Sequence, residues 1–149
     1  MRRVLTALAL AWAAPACADD LLILPIKLLD TSHETKDQEQ DHIRRLDMMA
    51  DVLASELSGE ILGRDAVASA CPRETTACLV GMLRDKGAER GLFIIVQKTS
   101  TLILQVFASV IDVGSEKLVN HKELNFRGDN DEAYRRAALF LARQLRDDG

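Results

Sequence analysis

The apolar positions of this chain fall into continuous or alternating runs that predict a β-sheet. Residues 21–29 are nearly all apolar and are interrupted by a proline, which predicts a short buried strand with a bulge or an edge at that point. Residues 91–98 and 101–113 are rich in β-branched side chains and only two residues separate them, so we expect a hairpin. Residues 118–127 alternate in polarity and predict a third, more polar strand nearer the sheet edge.

A helical spacing of apolar residues elsewhere predicts three amphipathic helices. The first covers residues 43–57 and the second residues 75–87, each ending close to a glycine. The third begins at Asp129, whose spacing to Glu132 is typical of a capping box. Residues 60–68, between the first two helices, are a weaker strand candidate.

These elements follow one another in the order β-α-β-α-β-β-β-α. Crossover helices between the early strands and a meander of the last three strands imply a mixed sheet. We therefore predict a single α/β (α+β) domain, with a five-stranded mixed sheet flanked by three helices.

The first 18 residues have the features of a secretory signal peptide. A basic start precedes an apolar stretch at residues 4–14, which is too short to cross a bilayer, where about 20 residues are needed. Small residues follow at both positions that a signal peptidase reads, so we expect cleavage after Ala18 and a secreted, periplasmic domain of residues 19–149. The alternative is a lipoprotein signal with an acylated Cys17, but that signal needs a leucine-like residue where this chain has an alanine.

Removal of the signal peptide changes the size and charge of the chain. Of the 149 residues 131 remain, which suffices for one domain with its own core. The formal net charge of −4 becomes −6 because two arginines leave and no acid does. No basic cluster offsets this charge, which argues against nucleic acid or anionic lipid as the main partner. After cleavage we expect no transmembrane anchor.

The predicted mature domain keeps two cysteines, Cys71 and Cys78. An even pair in an oxidising compartment predicts one disulfide. Its closed loop is small, so the expected stabilisation is about 2 to 3 kcal/mol. The alternative is a redox pair, because Cys78 is predicted in the first turn of a helix, where the helix dipole lowers a thiol pKa. The spacing is not Cys-x-x-Cys.

Histidines and acids in the polar segment after the first strand raise the question of a metal site. The candidates for zinc or copper ligands are His33, Asp37, Asp41, His42 and His121. The two histidines of the segment lie nine residues apart without a helical register, so a solvated loop is the competing interpretation. Neither Ser32 nor Ser100 lies in a nucleophile elbow, and we predict no catalytic residue, no metal and no cofactor.

Polar residues at the ends of buried strands are the candidates for contact with a partner. They are Asp30, Thr31, Ser32, Gln97, Lys98 and Ser100. On this hypothesis Gln97 and Lys98 present their side chains to another protein. The competing interpretation is that Thr99 and Ser100 make a turn and nothing more.

Three motifs of the chain resemble a family of secreted proteobacterial proteins known as a domain of unknown function. The motifs are Leu29-Asp30-Thr31-Ser32, residues 96–104 of the predicted hairpin, and residues 127–132 with Arg135-Arg136. The order of elements is also similar to the amino-terminal domain of periplasmic TolB and to domains of the curli secretion channel and of outer-membrane lipoprotein cofactors. Those domains dock on other envelope proteins, so the resemblance implies binding rather than catalysis.

The sequence thus favours a noncatalytic accessory domain that docks on another periplasmic or outer-membrane protein. The docking surface would be a sheet edge or the polar loop after the first strand. The alternative is a small redox or metal-handling protein that uses the cysteine pair or the histidine-containing loop.

Overall fold

A computed structural model describes residues 21–147, so the predicted signal peptide lies outside the described residues. The elements are β1 (Leu21–Ile23), β2 (Lys27–Asp30), α1 (Glu39–Leu57), β3 (Glu60–Ile61), α2 (Arg64–Ala70), α3 (Thr76–Asp85), β4 (Arg90–Lys98), β5 (Ile103–Asp112), β6 (Lys117–Arg127) and α4 (Asp131–Asp147). No helix in this range is long and apolar enough to cross a membrane.

The strands form one mixed sheet in the order β3-β1-β4-β5-β6, with β2 beside β4. β1 lies parallel to both β3 and β4, and β2 is also parallel to β4. β4, β5 and β6 form an antiparallel meander, in which β6 is the edge strand that its polarity predicted. The predicted first strand is present as two halves, β1 and β2, with Pro25 between them.

The predicted strand over residues 60–68 was wrong in most of its length. Two residues form β3, and the chain then enters α2, so residues 21–147 contain four helices where the sequence predicted three. Gly63 keeps an extended backbone just before this helix, and in the seven residues of α2 only Val67 is buried. A helix with one buried side chain shows no helical period, and its alanines and valine were therefore mistaken for a strand.

The two faces of the sheet are covered by different helices. α1 and α4 pack on one face, against a core that includes Leu92, Ile94 and Val96 of β4. α2 and α3 cover part of the other face through a smaller cluster that includes Val67 and Leu83. Each of these buried side chains contributes about 1.5 to 3 kcal/mol through the hydrophobic effect. The alternation along β4 therefore directs every second side chain towards α1 and α4.

Candidate binding site

Lys98, the last residue of β4, lies on the sheet face that α1 and α4 cover. It follows Val96 by two residues, and side chains two apart in a strand share a face. Its side chain is 0% exposed. The ammonium Nζ donates hydrogen bonds to Asp129 Oδ2, at 2.7 Å, and to Glu34, and it lies 4.0 Å from Asp30 Oδ2. These carboxylates supply the partners that a buried charge requires.

Asp129 is the centre of the cluster around Lys98. Its side chain is 7% exposed and accepts hydrogen bonds from three residues on two elements. Besides Lys98 of β4, its partners are His42 Nε2 at 2.9 Å and Arg45 Nη1 at 2.8 Å. His42 and Arg45 are three residues apart on α1, so they lie on one helix face. Asp129 thereby ties the start of α4 to α1 and to the end of β4.

The pKa shifts in this cluster favour the charged forms. Burial alone would lower the pKa of Lys98, but the hydrogen bonds to Asp129 and Glu34 outweigh burial and raise it above its ordinary value. Burial alone would raise the pKa of Asp129, but hydrogen bonds with Lys98 and His42 outweigh it and lower the pKa. We expect Lys98 and Asp129 to remain an ion pair at neutral pH.

The segment between β2 and α1 is fastened to this cluster. Glu34 binds Lys98, and Gln38 Nε2 donates a hydrogen bond of 2.9 Å to Glu34. The hydrogen bond from Lys98 lowers the pKa of Glu34. The interpretation of this segment as a merely solvated loop was incomplete, because an acid in its middle neutralises a buried lysine.

Asp30, Thr31 and Ser32 form a turn directly beside Lys98. The backbone N–H of Thr31 donates to the Lys98 carbonyl at 2.8 Å, and the Thr31 hydroxyl donates to the same oxygen at 3.1 Å. Asp30 Oδ1 accepts hydrogen bonds from the Ser32 N–H at 2.9 Å and from the Ser32 hydroxyl at 2.6 Å. Burial alone would raise the pKa of Asp30, but these hydrogen bonds outweigh burial and lower it. The Asp30 side chain is 37% exposed, so it presents a fixed carboxylate to solvent.

Four of the six predicted partner-binding residues therefore lie together, namely Asp30, Thr31, Ser32 and Lys98. Gln97 lies on the other face of the sheet from Lys98, and it pairs with Gln105 of the neighbouring strand β5. Ser100 makes the hairpin turn, because its hydroxyl accepts hydrogen bonds from the N–H groups of Leu102 and Ile103. The expectation that Lys98 presents its ammonium to a partner does not fit its burial.

An open groove of about 500 Å³ runs beside the cluster, between β2 and α1. One wall contains Ile26, Leu28 and Asp30, and the other contains Ile43 and Leu46 of α1. The groove gives the surface near the buried lysine a concave shape with apolar walls.

The predicted site residues did not include Asp129, Glu34, Arg45 and Tyr134. Asp129 was assigned to a capping box, but the Asn130 side chain is the group that accepts the Ala133 N–H, at 3.0 Å. Tyr134 packs edge-on against Phe126 with ring centroids 5.2 Å apart. Its hydroxyl is buried without a hydrogen-bond partner among the described residues, and burial together with the Asp129 charge raises its pKa.

The cysteines form a disulfide away from this cluster. Cys71 and Cys78 are joined with a Cα–Cα distance of 5.8 Å, and they connect the end of α2 to the first turn of α3. Cys71 is 1% exposed. A bridge that joins two helices and includes a fully buried cysteine is typical of a structural role, and no observation favours the redox alternative.

The predicted metal ligands are dispersed. Within residues 21–147, no group of three or more histidines, cysteines and acids is arranged to hold a metal ion. His42 binds Asp129 in the cluster, whereas His121 of β6 contacts Ser109 at 3.0 Å and Glu123 at 3.2 Å. Asp37 Oδ1 accepts the N–H of Glu39 at 3.1 Å and so supports the start of α1. The histidine-containing segment therefore does not form the site that its composition suggested.

Solved structures with the same fold include LpoB, TolB and PelC. The LpoB C-terminal domain from Escherichia coli matches with a TM-score of 0.52 and 11% identity over 76% of this chain and 86% of that one. TolB from Acinetobacter baumannii matches with a TM-score of 0.53 and 13% identity over 91% of this chain but 29% of that one. A PelC dodecamer from Paraburkholderia phytofirmans matches with a TM-score of 0.52 and 12% identity over 91% and 90%. The TolB-type fold expected from the order of elements is confirmed.

No curated protein matches the chain. A family model described as "Protein of unknown function (DUF2380)" matches residues 19–145.

Proposed function

The chain belongs to that family, DUF3280, and we propose that it is a noncatalytic accessory domain that binds another protein of the cell envelope. The binding surface on this proposal consists of Asp30, Thr31 and Ser32, with the adjoining groove between β2 and α1. We call this surface the β2 surface. Lys98 lies behind it and acts as a positioning residue rather than as a contact.

One observation carries the proposal: an exposed polar turn is anchored to Lys98, a fully buried lysine held by ion pairs. Thr31 is bound to the backbone of Lys98, and the Lys98 ammonium is held by Asp129 and Glu34. A turn that is already ordered loses little conformational entropy when it binds a partner. Stability alone does not explain why charged groups are buried beneath a surface turn, since a buried ion pair contributes little net stability compared with apolar packing.

The fold and the amino terminus support the same class of function. A similar structure, PelC, is a dodecamer, so this fold is compatible with docking on other chains. The family match begins at residue 19, where we propose that the secreted domain begins. We propose a periplasmic location on these grounds.

The experiment is affinity capture from the periplasm, with mass spectrometry, using a variant pair and a matched control. Asp30→Ala combined with Ser32→Ala removes the polar side chains of the β2 surface. The control is Asp112→Ala with Ser115→Ala, because Asp112 Oδ1 accepts the Ser115 N–H and hydroxyl at 2.7 Å each, in the same arrangement elsewhere on the surface.

We expect the unaltered protein and the control variant to capture the same partner, and the Asp30/Ser32 variant to lose it while its melting temperature changes no more than that of the control variant. The proposal fails if no protein is captured reproducibly, or if both variants capture the partner equally well.

A further inference from the structure

The outer edge of β2 is an open place in the sheet. β1 has β4 on one side and β3 on the other, whereas β2 pairs with β4 alone. β3 ends at Ile61, so among residues 21–147 no strand continues its row beside β2. The position next to β2 is occupied instead by the groove between β2 and α1.

The backbone of β2 has hydrogen-bonding groups that face this groove. The Thr31 N–H points towards β4, where it binds the Lys98 carbonyl at 2.8 Å. Successive residues of a strand direct their backbone groups to opposite sides, so Leu29 and Lys27 also face β4. The N–H and C=O groups of Leu28 and Asp30 therefore point away from β4, to the free edge.

The groove borders three of the four residues of β2, namely Lys27, Leu28 and Asp30. A strand that matches the four residues of β2 is about 13 Å long, at about 3.3 Å per residue. Leu28 and Ile43 line the groove and are only partly buried, so a segment beside them would bury its own apolar side chains.

The charges along the groove differ between its two ends. Lys27 and Arg64 lie at the end near β3, and each is already paired, with Glu74 and Asp47 respectively. The charged residues at the other end, near the segment between β2 and α1, are Asp30, Lys36, Asp37 and Glu39. Three carboxylates against one lysine make this end acidic, which favours a basic side chain there.

From this geometry we propose that β2 accepts an extended segment of the partner protein as an added strand. The inference rests on the proposed function and specifies how the partner is recognised. Backbone hydrogen bonds to Leu28 and Asp30 hold the segment, apolar side chains fill the groove, and a lysine or arginine meets the acidic end.

The other edge of the sheet is less suited to this role. β6 carries Lys117, Lys122, Glu123 and Arg127, and its pairing with β5 is interrupted by an irregularity at Val110/Ile111. Charged residues and bulges are devices that protect edge strands from pairing.

The test uses a phage-displayed library of random heptapeptides, selected on the purified protein. Enriched peptides are synthesised with a fluorescent label, and their binding is measured by anisotropy. We expect alternating apolar residues with a lysine or arginine near one end. Leu28→Pro, which removes an N–H that faces the groove, should weaken binding at least tenfold, because proline cannot donate a hydrogen bond. Leu28→Ala keeps this N–H but removes the same apolar side chain from the groove wall, so it should weaken binding less than Leu28→Pro does.

A peptide methylated on alternate backbone nitrogens provides a second measurement that needs no protein variant. Methylation in one register should abolish binding and methylation in the other register should not. The inference is overturned if selection enriches no peptide, if both registers bind equally, or if Leu28→Pro leaves binding unchanged. It is also overturned if sedimentation shows that the unaltered protein is a dimer and that Leu28→Pro is a monomer, because β2 would then pair two copies of this chain.

A comparison of Leu28→Pro with the Asp30/Ser32 variant separates this inference from the proposed function. If the Asp30/Ser32 variant loses the captured partner and Leu28→Pro retains it, the binding function stands and strand addition is wrong. If the unaltered protein captures no partner, the proposed function itself is wrong.

Discussion

Lys98 determines the local chemistry of the site because its ammonium lies out of water between two acids. Asp129 and Glu34 neutralise it, and the same Asp129 also binds His42 and Arg45. Removal of the lysine would leave Glu34 without its cation, whereas Asp129 would keep Arg45.

We expect Lys98→Met to destabilise the domain by about 3 to 5 kcal/mol, which is typical when one member of a buried ion pair is lost. Lys36→Met is the control, because Lys36 is exposed, and its cost should stay within about 0.5 kcal/mol. Urea unfolding followed by circular dichroism measures both. A cost below about 1 kcal/mol for Lys98→Met would mean that the acids are solvated and that the cluster is not a rigid anchor.

The alternation of side chains along β4 was sufficient to predict that Lys98 is buried. Lys98 has the same parity as Ile94 and Val96, which predicts a lysine on a buried face and hence a hidden acid nearby. Its partners were not predictable in this way. Glu34 and Asp129 lie in connecting segments that have no period, and their meeting depends on how α1 and α4 pack.

The longest elements were the most predictable ones. α1, β4, β5 and β6 each have enough residues to show two or more periods, and each was assigned to the correct type. α2 is seven residues long and buries one side chain, so its sequence could not distinguish a helix from a strand.

The close contact between β4 and α3 gives a test of packing. A Cβ placed on Gly91 would lie 2.3 Å from Leu83 Cδ1, and Leu83 is fully buried, so its side chain has little room to move. We expect Gly91→Ala to cost about 1 to 3 kcal/mol through overpacking. In α3 itself a Cβ on Gly81 would meet no atom within 4 Å, so Gly81→Ala should stabilise the domain by about 0.5 to 1 kcal/mol. Thermal unfolding of both variants decides this, and equal effects would be inconsistent with the described packing.

The disulfide between α2 and α3 provides a prediction about these two helices. Replacement of both Cys71 and Cys78 by serine should cost about 2 to 3 kcal/mol, because the bridge restricts a short loop in the unfolded chain. Binding to the partner should change little while the domain stays folded, since the loop that the bridge closes meets β2 through the Glu74–Lys27 ion pair, at the end away from Asp30 and Ser32. The measurements are denaturant unfolding and capture of the partner. Unchanged stability together with lost binding would favour a redox role for the pair.

The whole molecule should respond to pH through the cluster around Lys98. The pKa values of Asp129, Glu34 and Asp30 are lowered in the folded protein, so these acids stabilise the fold above their ordinary values of 3.8 to 4.5. That stability is lost as the pH falls through the lowered values. The pKa of Lys98 is raised, so its contribution is complete below 10.5 and is lost as the pH rises through the raised value.

We therefore expect the free energy of unfolding to be steady near neutral pH and to decrease below about pH 4. Asp129→Asn should lower the stability at neutral pH and flatten the acid dependence, because asparagine does not titrate. Urea titrations at a series of pH values give the slope for both proteins. An acid slope that is as steep in Asp129→Asn as in the unaltered protein would show that the cluster does not control the response.

The proposed role of the molecule depends on direct contact between the β2 surface and another envelope protein. Photo-cross-linking in living host cells measures this contact, with a photoreactive amino acid placed at position 32 in one strain and at position 115 in another. Both serines bind a neighbouring aspartate in the same manner, so the two probes are matched. We predict that position 32 cross-links to a distinct protein that position 115 does not reach. Cross-linking of that protein from position 115 alone, or of nothing from position 32, would contradict the account.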